Sequence, residues 1–248
     1  MMLRFYSRKL EVPEVEPVRA RSRGRSASRA FRRRQIVDAA IRSISKVGFA
    51  DTTLATVAAE AGISQASLIF HFGSKEALLE ETLRDLSGEY EATWREALRR
   101  APPDPVAQIC TLVASDFSPN LCSRKKIAAW QAFWGEVKAR PTYLQICGER
   151  DEERFNAMAA ACKALPLGDR RWEGTDAKAL AGLIDALSDG LWQRMLVSFR
   201  TFKRKEALRL AFLQLKILLP AHAEAINTFG RQHLEPRSGI KKRTSGKN

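Results

Sequence analysis

The chain has 248 residues, of which 45% are hydrophobic, so it is long enough for one large or two modest domains with their own cores. This composition excludes wholesale disorder. The formal net charge is +14, but residues 1–34 carry +8 and residues 231–248 carry +5, which leaves the rest of the chain almost neutral. The basic ends could bind phosphates without sequence preference, or they could only keep the chain in solution, and the composition leaves both open.

Targeting signals and metal motifs are also missing from the sequence. The first nine residues contain no continuous apolar segment, and no later stretch reaches the ~18 uncharged apolar residues of a membrane span. We therefore expect a soluble, cytoplasmic protein without a membrane partner. With no C-x-x-C pair and only three histidines, we predict no metal site, no cofactor and four reduced thiols, namely Cys110, Cys122, Cys147 and Cys162.

Taken in chain order, the predicted elements begin after a basic arm. Residues 1–30 show no apolar period, which predicts disorder. From Arg32 onward Ile36, Ala40 and Ile44 recur at helical spacing, which predicts an amphipathic helix that ends at Gly48. Further helices are predicted over 53–61, 64–70, 74–100, 105–117, 124–139, 142–164, 175–199 and 203–219.

Prolines and glycines separate the later helices and suggest the domain boundaries. No alternation typical of strands occurs, so the predicted fold class is all-α. We expect an N-terminal three-helix helix-turn-helix domain over 31–76 and a C-terminal helical ligand-binding and dimerisation domain over 77–222. A basic tail would follow over 223–248. The predicted helix-breaking segments are APPDP at 101–105, SPN at 118–120, Pro141, LPLGD at 165–169 and Pro220.

Residues 53–72, TLATVAAEAGISQASLIFHF, meet the requirements of a helix-turn-helix. Such a motif needs one bracing helix, a tight turn containing Gly, and a second helix that enters the major groove. Gly62 permits the turn, and Ser64 is placed to cap the second helix. Apolar residues at helical spacing can pack the two helices together, namely Leu54, Val57, Ala58, Ala61, Ile63 and Leu68.

The segment from Arg33 to Leu79 resembles the N-terminal domain of TetR-type transcriptional regulators. Their pattern is a first helix that ends in Gly, then T-[TV]-x-x-[IV]-A-x-x-A-G-[VI]-S, then a short recognition helix that ends in H-F or Y-F, and a Lys soon after. The matching residues here are Gly48, Thr53, Val57, Ala58, Ala61, Gly62, Ile63, Ser64, His71, Phe72 and Lys75.

This resemblance implies a role for each DNA-facing residue. Thr53 and Lys75 would bind phosphates, whereas Gln65 and Ser67 would contact base edges. Ile69 departs from the family, which commonly has Tyr there, and it can contact a thymine methyl but cannot donate a hydrogen bond to phosphate. A solvated helix face is the alternative for each polar residue. The predicted DNA-binding set is Thr53, Ser64, Gln65, Ala66, Ser67, Ile69, Phe70, His71 and Lys75.

The C-terminal half is similar to the choline-responsive repressors of glycine-betaine synthesis. The similarity lies in AWQAFW at 129–134, RPTYLQI at 140–146 and LAGLIDALSDGLWQR at 180–194. Quaternary ammonium groups cannot donate hydrogen bonds and are held by aromatic faces, often with a carboxylate nearby. Asp185 could supply that charge in place of Asp189, and ordinary core packing is the alternative for the aromatics. The predicted effector site is Trp130, Phe133, Trp134, Tyr143, Asp189 and Trp192.

Together these patterns predict a homodimeric repressor on a near-palindromic, double-stranded DNA operator, released or modulated by a small-molecule effector. Two alternatives stay open: a TetR-type regulator with a different hydrophobic or cationic effector, and an architectural DNA binder that senses nothing. An enzyme, such as a hydrolase that uses Asp185 or Asp189, is disfavoured because the chain has neither a Gly-x-Ser-x-Gly motif nor a phosphate loop.

Overall fold

The computed structural model describes residues 19–166 and 176–234, with side chains from Arg29 onward. These residues contain ten α-helices and no strand, which confirms the all-α prediction. In the same residues, no helix is both long and apolar enough to cross a bilayer. The helices are α1 (Arg19–Val47), α2 (Leu54–Ala61), α3 (Gln65–Phe72), α4 (Lys75–Arg100), α5 (Pro105–Asp116), α6 (Arg124–Glu136), α7 (Pro141–Ala164), α8 (Ala177–Val197), α9 (Arg204–Leu218) and α10 (Ala223–Leu234).

The ends of the chain differ from the sequence-based expectation in two places. Helix α1 begins at Arg19, so the predicted arm over 1–30 is helical in its last part, where arginine and alanine favour a helix although no apolar period marks it. Helix α10 occupies part of the predicted tail over 223–248, because Ile226 is buried and Gly230 packs against the Phe212 ring. Residues 1–18 of the arm, 167–175 around the LPLGD segment, and 235–248 of the tail lie outside the described residues.

Capping side chains explain where the predicted helices start. Asp104 accepts a hydrogen bond from the Ala107 amide at 2.8 Å, directly before Pro105. Ser74 accepts one from the Ala77 amide at 3.1 Å and so starts α4. A capping side chain satisfies one of the amides that a helix N-terminus leaves without an intrahelical partner. From α2 to α9, the observed boundaries fall within a few residues of the predicted ones.

Helix α1 belongs to two hydrophobic cores. One face, with Ile36 and Ala40, packs against α2, α3 and the start of α4 in a small N-terminal core. The other face, with Val37, Ile41 and Ile44, joins the larger core of the C-terminal helices. Because the two cores share α1 and α4, a change in the C-terminal helices has a direct path of packed side chains to the N-terminal domain.

One apolar stripe of α8 belongs to the core. Four of its members are buried within the single chain and Leu187 is half-buried; the buried four are Leu180, Ile184, Leu191 and Met195. The opposite face of α8 is exposed and uncharged at positions that recur at helical spacing. These are Ala179, Leu183, Ala186, Gly190, Gln193 and Val197.

Candidate DNA-binding and effector sites

The helix-turn-helix is built by local capping and one ion-pair brace. Thr53 starts α2, where its hydroxyl accepts from the Thr56 amide at 3.1 Å while the Thr56 hydroxyl accepts from the Thr53 amide at 2.9 Å. Gly62 ends α2 in the left-handed conformation, with φ of 65°, which glycine adopts without strain. Glu60 of α2 pairs with Arg42 and Lys46 of α1 and so braces the motif.

Helix α3 presents most of its predicted DNA-binding residues to solvent. Ser64 caps it by accepting from the Ser67 amide at 3.2 Å, and Leu68 is fully buried on the inner face. Gln65, Ala66, Ile69 and Phe70 are exposed, whereas Ser67 and His71 are half-buried. The structure therefore places these residues together on one accessible helix surface.

The two residues predicted to bind phosphate lie at the starts of the helices before and after α3 in the chain. Thr53 is exposed at the start of α2, and Lys75 is half-buried at the start of α4. The Lys75 Nζ lies 3.4 Å from the Ala50 carbonyl oxygen, so the ammonium is held at the turn between α1 and α2. Both positions are compatible with contacts to the DNA backbone beside a groove occupied by α3.

Arginines of α1 add positive charge beside α3. Partial burial lowers the pKa of His71, and the nearby charges of Arg29, Arg33 and Arg32 lower it further, which keeps the imidazole neutral near pH 7. Arg33 donates to the His71 carbonyl oxygen at 3.0 Å and pairs with Glu81. Arg29 and Arg32 have no ion-pair partner among the described residues, so they are available to phosphates. Sequence reasoning did not assign these two, although they belong to the arginine-rich run before Ile36.

A cavity of about 280 Å³ lies among α4, α5, α6, α7 and α8. Trp130 and Trp134 contribute from α6, and their i,i+4 spacing places both indoles on one helix face. Trp134 keeps 41% of its surface exposed, so the cavity is accessible from solvent beside this ring. The lining consists of Tyr90, Asp116, Trp130, Trp134, Asp151, Arg154, Asp185, Ser188, Asp189 and Trp192.

A buried ionic network forms one wall of this cavity. Asp116 and Arg154 are each only 3% exposed, and the Arg154 Nη2 donates to the Asp116 carboxylate at 2.7 Å. The other guanidinium nitrogen, Nη1, donates to Asp185 at 2.8 Å. The Tyr90 hydroxyl donates to Asp116 at 2.9 Å, and the Trp192 indole N–H donates to the Asp116 carbonyl oxygen at 3.0 Å. These bonds fix the Trp192 ring against the cavity.

Two further carboxylates belong to the lining of the cavity. Asp151 and Asp189 line the cavity and have no ion-pair partner among the described residues. Both residues are exposed overall, but the protein around their carboxyl groups desolvates them and raises the pKa of each to about 6, and for Asp189 the nearby Asp116 charge acts in the same direction. Burial likewise raises the pKa of Asp185 to about 6. With four carboxylates and one guanidinium, the lining favours a positively charged ligand.

The predicted effector residues divide into two groups. Trp130, Trp134, Asp189 and Trp192 meet at the cavity, but Phe133 and Tyr143 do not line it. Phe133 lies on a different face of α6 and packs edge-on against Tyr143, with ring centroids 5.3 Å apart.

Phe133 and Tyr143 instead contact Phe49, in the turn between α1 and α2. The centroid of the Phe49 ring lies 5.6 Å from that of Phe133 and 6.3 Å from that of Tyr143. This aromatic cluster joins the cavity helix α6 to the N-terminal domain.

Sequence reasoning proposed Asp189 or Asp185 but missed three other charged residues of the cavity. Asp116, Asp151 and Arg154 lie far from the tryptophans in the sequence, and tertiary packing brings them together. A signal was present for Asp116, which is a lone charge at the end of the otherwise uncharged helix α5. A charged residue in such a position is rarely buried unless it is paired.

A helix-turn-helix joined to a helical domain with a ligand-sized cavity defines the class of one-component transcriptional regulators. Residues 36–82 match the family model of bacterial regulatory proteins of the tetR family. Residues 105–220 match that of the BetI-type transcriptional repressor C-terminal domain. The HTH-type transcriptional regulator BetI of Burkholderia thailandensis is 34% identical over 196 residues, which span 79% of this chain and 97% of the relative.

Solved structures share this fold. A TetR transcription regulator from Haloarcula marismortui superposes with a TM-score of 0.63 at 18% identity, over 77% of this chain and 98% of its own. A protein of Saccharomonospora viridis, solved in complex with choline, superposes with a TM-score of 0.63 at 23% identity, over 73% and 94% of the two chains. The chain belongs to the TetR family of transcriptional regulators and carries a BetI-type C-terminal domain. Its relatives are DNA-binding regulators and not enzymes, as predicted.

Proposed function

We propose that this regulator is a dimeric repressor whose operator binding is controlled by a small organic cation, with choline as the first candidate. The observation that carries the proposal is the composition of the cavity. Its lining contains three indoles, one phenol, four carboxylates and a single guanidinium.

The charges of the cavity favour a cation, and its three indoles favour one that is held by aromatic faces. Arg154 is already held between Asp116 and Asp185, so the unpaired negative charge lies on Asp151 and Asp189. A primary ammonium would require several oxygen acceptors in close contact, whereas a trimethylammonium group needs only aromatic faces and a nearby negative charge. Trp130, Trp134 and Trp192 supply those faces. The choline complex of the Saccharomonospora viridis protein supports the same ligand class.

The exposed faces of α8 and α9 support the dimer. On α9, Leu213 and Ile217 are exposed one turn apart, and on α8 Leu183 and Val197 are exposed on the uncharged face. Contiguous apolar surface of this kind is typical of a homodimer interface. A two-fold axis would then set the distance between the two copies of α3 on a near-palindromic operator. Sedimentation equilibrium at micromolar concentration should give twice the chain mass.

Calorimetric titration with choline tests the effector site. Two analogues separate the contributions: 3,3-dimethyl-1-butanol has the same shape without the charge, and trimethylglycine adds a carboxylate that would face Asp151 and Asp189. We expect choline to bind and both analogues to bind at least tenfold more weakly. Trp134→Ala should weaken choline binding by about tenfold, in line with a desolvated cation–π contact.

A matched pair of variants on α7 controls for general charge. Asp151→Asn removes a carboxylate that lines the cavity, whereas Glu152→Gln removes the neighbouring exposed carboxylate outside it. Only the first should weaken choline binding. If the two variants bind choline equally, or if the uncharged alcohol binds as well as choline, the cation proposal is wrong.

The effect of choline on operator binding decides between a sensor and an architectural DNA binder. An operator can be selected from random double-stranded DNA with the full chain, and its affinity measured by fluorescence anisotropy with and without choline. A repressor of the proposed kind should prefer the selected operator by at least a thousandfold over unrelated DNA and lose affinity with choline. An architectural binder would show little preference, a steep dependence on salt and no choline effect.

A further inference from the structure

The outermost surface of the recognition helix α3 is apolar. Successive residues of an α-helix are rotated by about 100°, so Ala66 and Phe70 lie within about 20° of the direction opposite to the buried Leu68. Phe70 is 78% exposed, and Ile69 beside it is 44% exposed. Gln65 lies towards one flank of this face, and the half-buried Ser67 lies on the other.

This arrangement is unusual for a surface with no partner. Phe70 has the highest fractional exposure of any large hydrophobic side chain in the described residues. No residue in the described part of the chain covers it, and the aromatic contact found there is edge-on to His71, with centroids 5.5 Å apart. His71 is in turn tied to α1 through the Arg33 hydrogen bond to its carbonyl oxygen. The phenyl ring is therefore held in an outward position on a braced helix.

The major groove offers one apolar group to such a ring. Base edges there carry hydrogen-bond donors and acceptors, except for the C5-methyl group of thymine. A phenyl ring cannot form the hydrogen bonds that distinguish the other base pairs, and alanine and isoleucine cannot either. The chemistry of this face therefore matches thymine.

We propose that Phe70, flanked by Ala66 and Ile69, recognises thymine C5-methyl groups at the centre of each operator half-site. The proposal rests on the operator-binding function above, because it requires α3 to lie in the major groove. It divides the recognition into two kinds of contact. The apolar centre selects thymine by its methyl group, and Gln65 adds hydrogen bonds to a neighbouring base.

Replacement of thymine by deoxyuridine tests this directly, because it removes only the methyl group and keeps every hydrogen-bonding group. In the selected operator, each thymine is replaced in turn, symmetrically in both half-sites, and binding is measured by fluorescence anisotropy. One methyl group removed from water corresponds to about a three- to fivefold change in affinity. We therefore expect an overall loss of about tenfold or more at one or two symmetric positions, and no loss at the others.

Variants of α3 then assign the contact. Phe70→Ala should bind the thymine operator more weakly than the natural chain and should no longer distinguish thymine from deoxyuridine at the sensitive position. Gln65→Ala is the matched control on the same helix, and it should keep the full deoxyuridine effect. Because Phe70 is exposed, its replacement should leave the thermal midpoint and choline binding unchanged, which shows that the domain is folded.

The outcomes separate this inference from the proposed function. If an operator is selected but no deoxyuridine substitution weakens binding, methyl recognition is wrong while operator binding stands. If Phe70→Ala weakens the thymine and deoxyuridine operators equally, Phe70 contacts the sugar-phosphate backbone and the inference is also wrong. If no operator is selected at all, the proposed function itself fails.

Discussion

The residues of the helix-turn-helix and those of the cavity are distributed differently along the sequence. The first uses a short continuous segment, from Thr53 to Lys75, whose predicted DNA-binding side chains are exposed or half-buried when no DNA is bound. The second assembles residues from five helices, between Tyr90 and Trp192, around a buried ionic network. Side-chain changes in the first region should therefore affect binding alone, whereas changes in the second should also affect stability.

The largest expected effect is on the stability of the cavity wall. Arg154→Met leaves the buried Asp116 without its guanidinium, so the free energy of unfolding should fall by about 3–5 kcal/mol. Arg150→Met on the same helix is the control, because Arg150 pairs with Glu91 at the surface. Arg150→Met should lower the free energy of unfolding by less than about 1 kcal/mol. Denaturant titration measures both, and equal losses would show that the buried network is no more important than a surface pair.

The next effect concerns the helix-turn-helix and should leave stability almost unchanged. Lys75→Ala removes a proposed phosphate contact, so it should weaken binding evenly across operator variants. The slope of log affinity against log salt concentration should become shallower by about 1. Gln65→Ala should reduce the preference for the correct base at one operator position by about 1–3 kcal/mol. A panel of single-base operator variants, titrated with both proteins, checks the difference. Identical specificity profiles would contradict the assigned roles.

The smallest effect is a pH dependence that belongs to the cavity alone. Choline carries a charge that does not titrate, so any change in its affinity comes from the protein. The carboxyls of Asp151 and Asp189, with pKa values of about 6, gain protons as the pH falls through 6. Choline affinity should therefore fall by about tenfold between pH 7.5 and pH 5.

The ligand-free protein should show the opposite sign in its stability. A carboxyl whose pKa is higher in the folded than in the unfolded state binds its proton more tightly when folded, so these two groups favour folding more as the pH falls through 6. Calorimetry at several pH values measures the affinity, and thermal unfolding measures the stability. The double variant with Asp151→Asn and Asp189→Asn should flatten both profiles; an unchanged affinity profile would assign the titration to another group, such as Asp185.

The DNA-binding half could be predicted almost completely because its determinants are local. Gly62 ends α2 and Ser64 caps α3 through contacts within a few residues, and such contacts follow from residue type and spacing. The family resemblance over the same stretch adds the expectation that Thr53 and Lys75 bind phosphates. What spacing could not show is that Arg29 and Arg32 lie beside α3, because they reach it through the packing of α1 against the motif.

The effector half was predictable only in part. Spacing on α6 correctly grouped Trp130 with Trp134, because i,i+4 neighbours share a helix face. It could not show that Phe133, between them in the sequence, points away from the cavity to Phe49. Similarly, α10 was predicted as part of the tail, because its contact with Phe212 of α9 is a tertiary contact that helical spacing does not reveal.

The sequence by itself determined the helix periods, the capping residues and the order of the helix-turn-helix, since these depend on interactions between residues three or four positions apart. The tertiary structure alone decided which charges are buried together. Asp116, Arg154 and Asp185 come from three helices, and their pairing is stabilised only when packing removes water from all three. The same packing decided which aromatic rings line the cavity and which join the two domains.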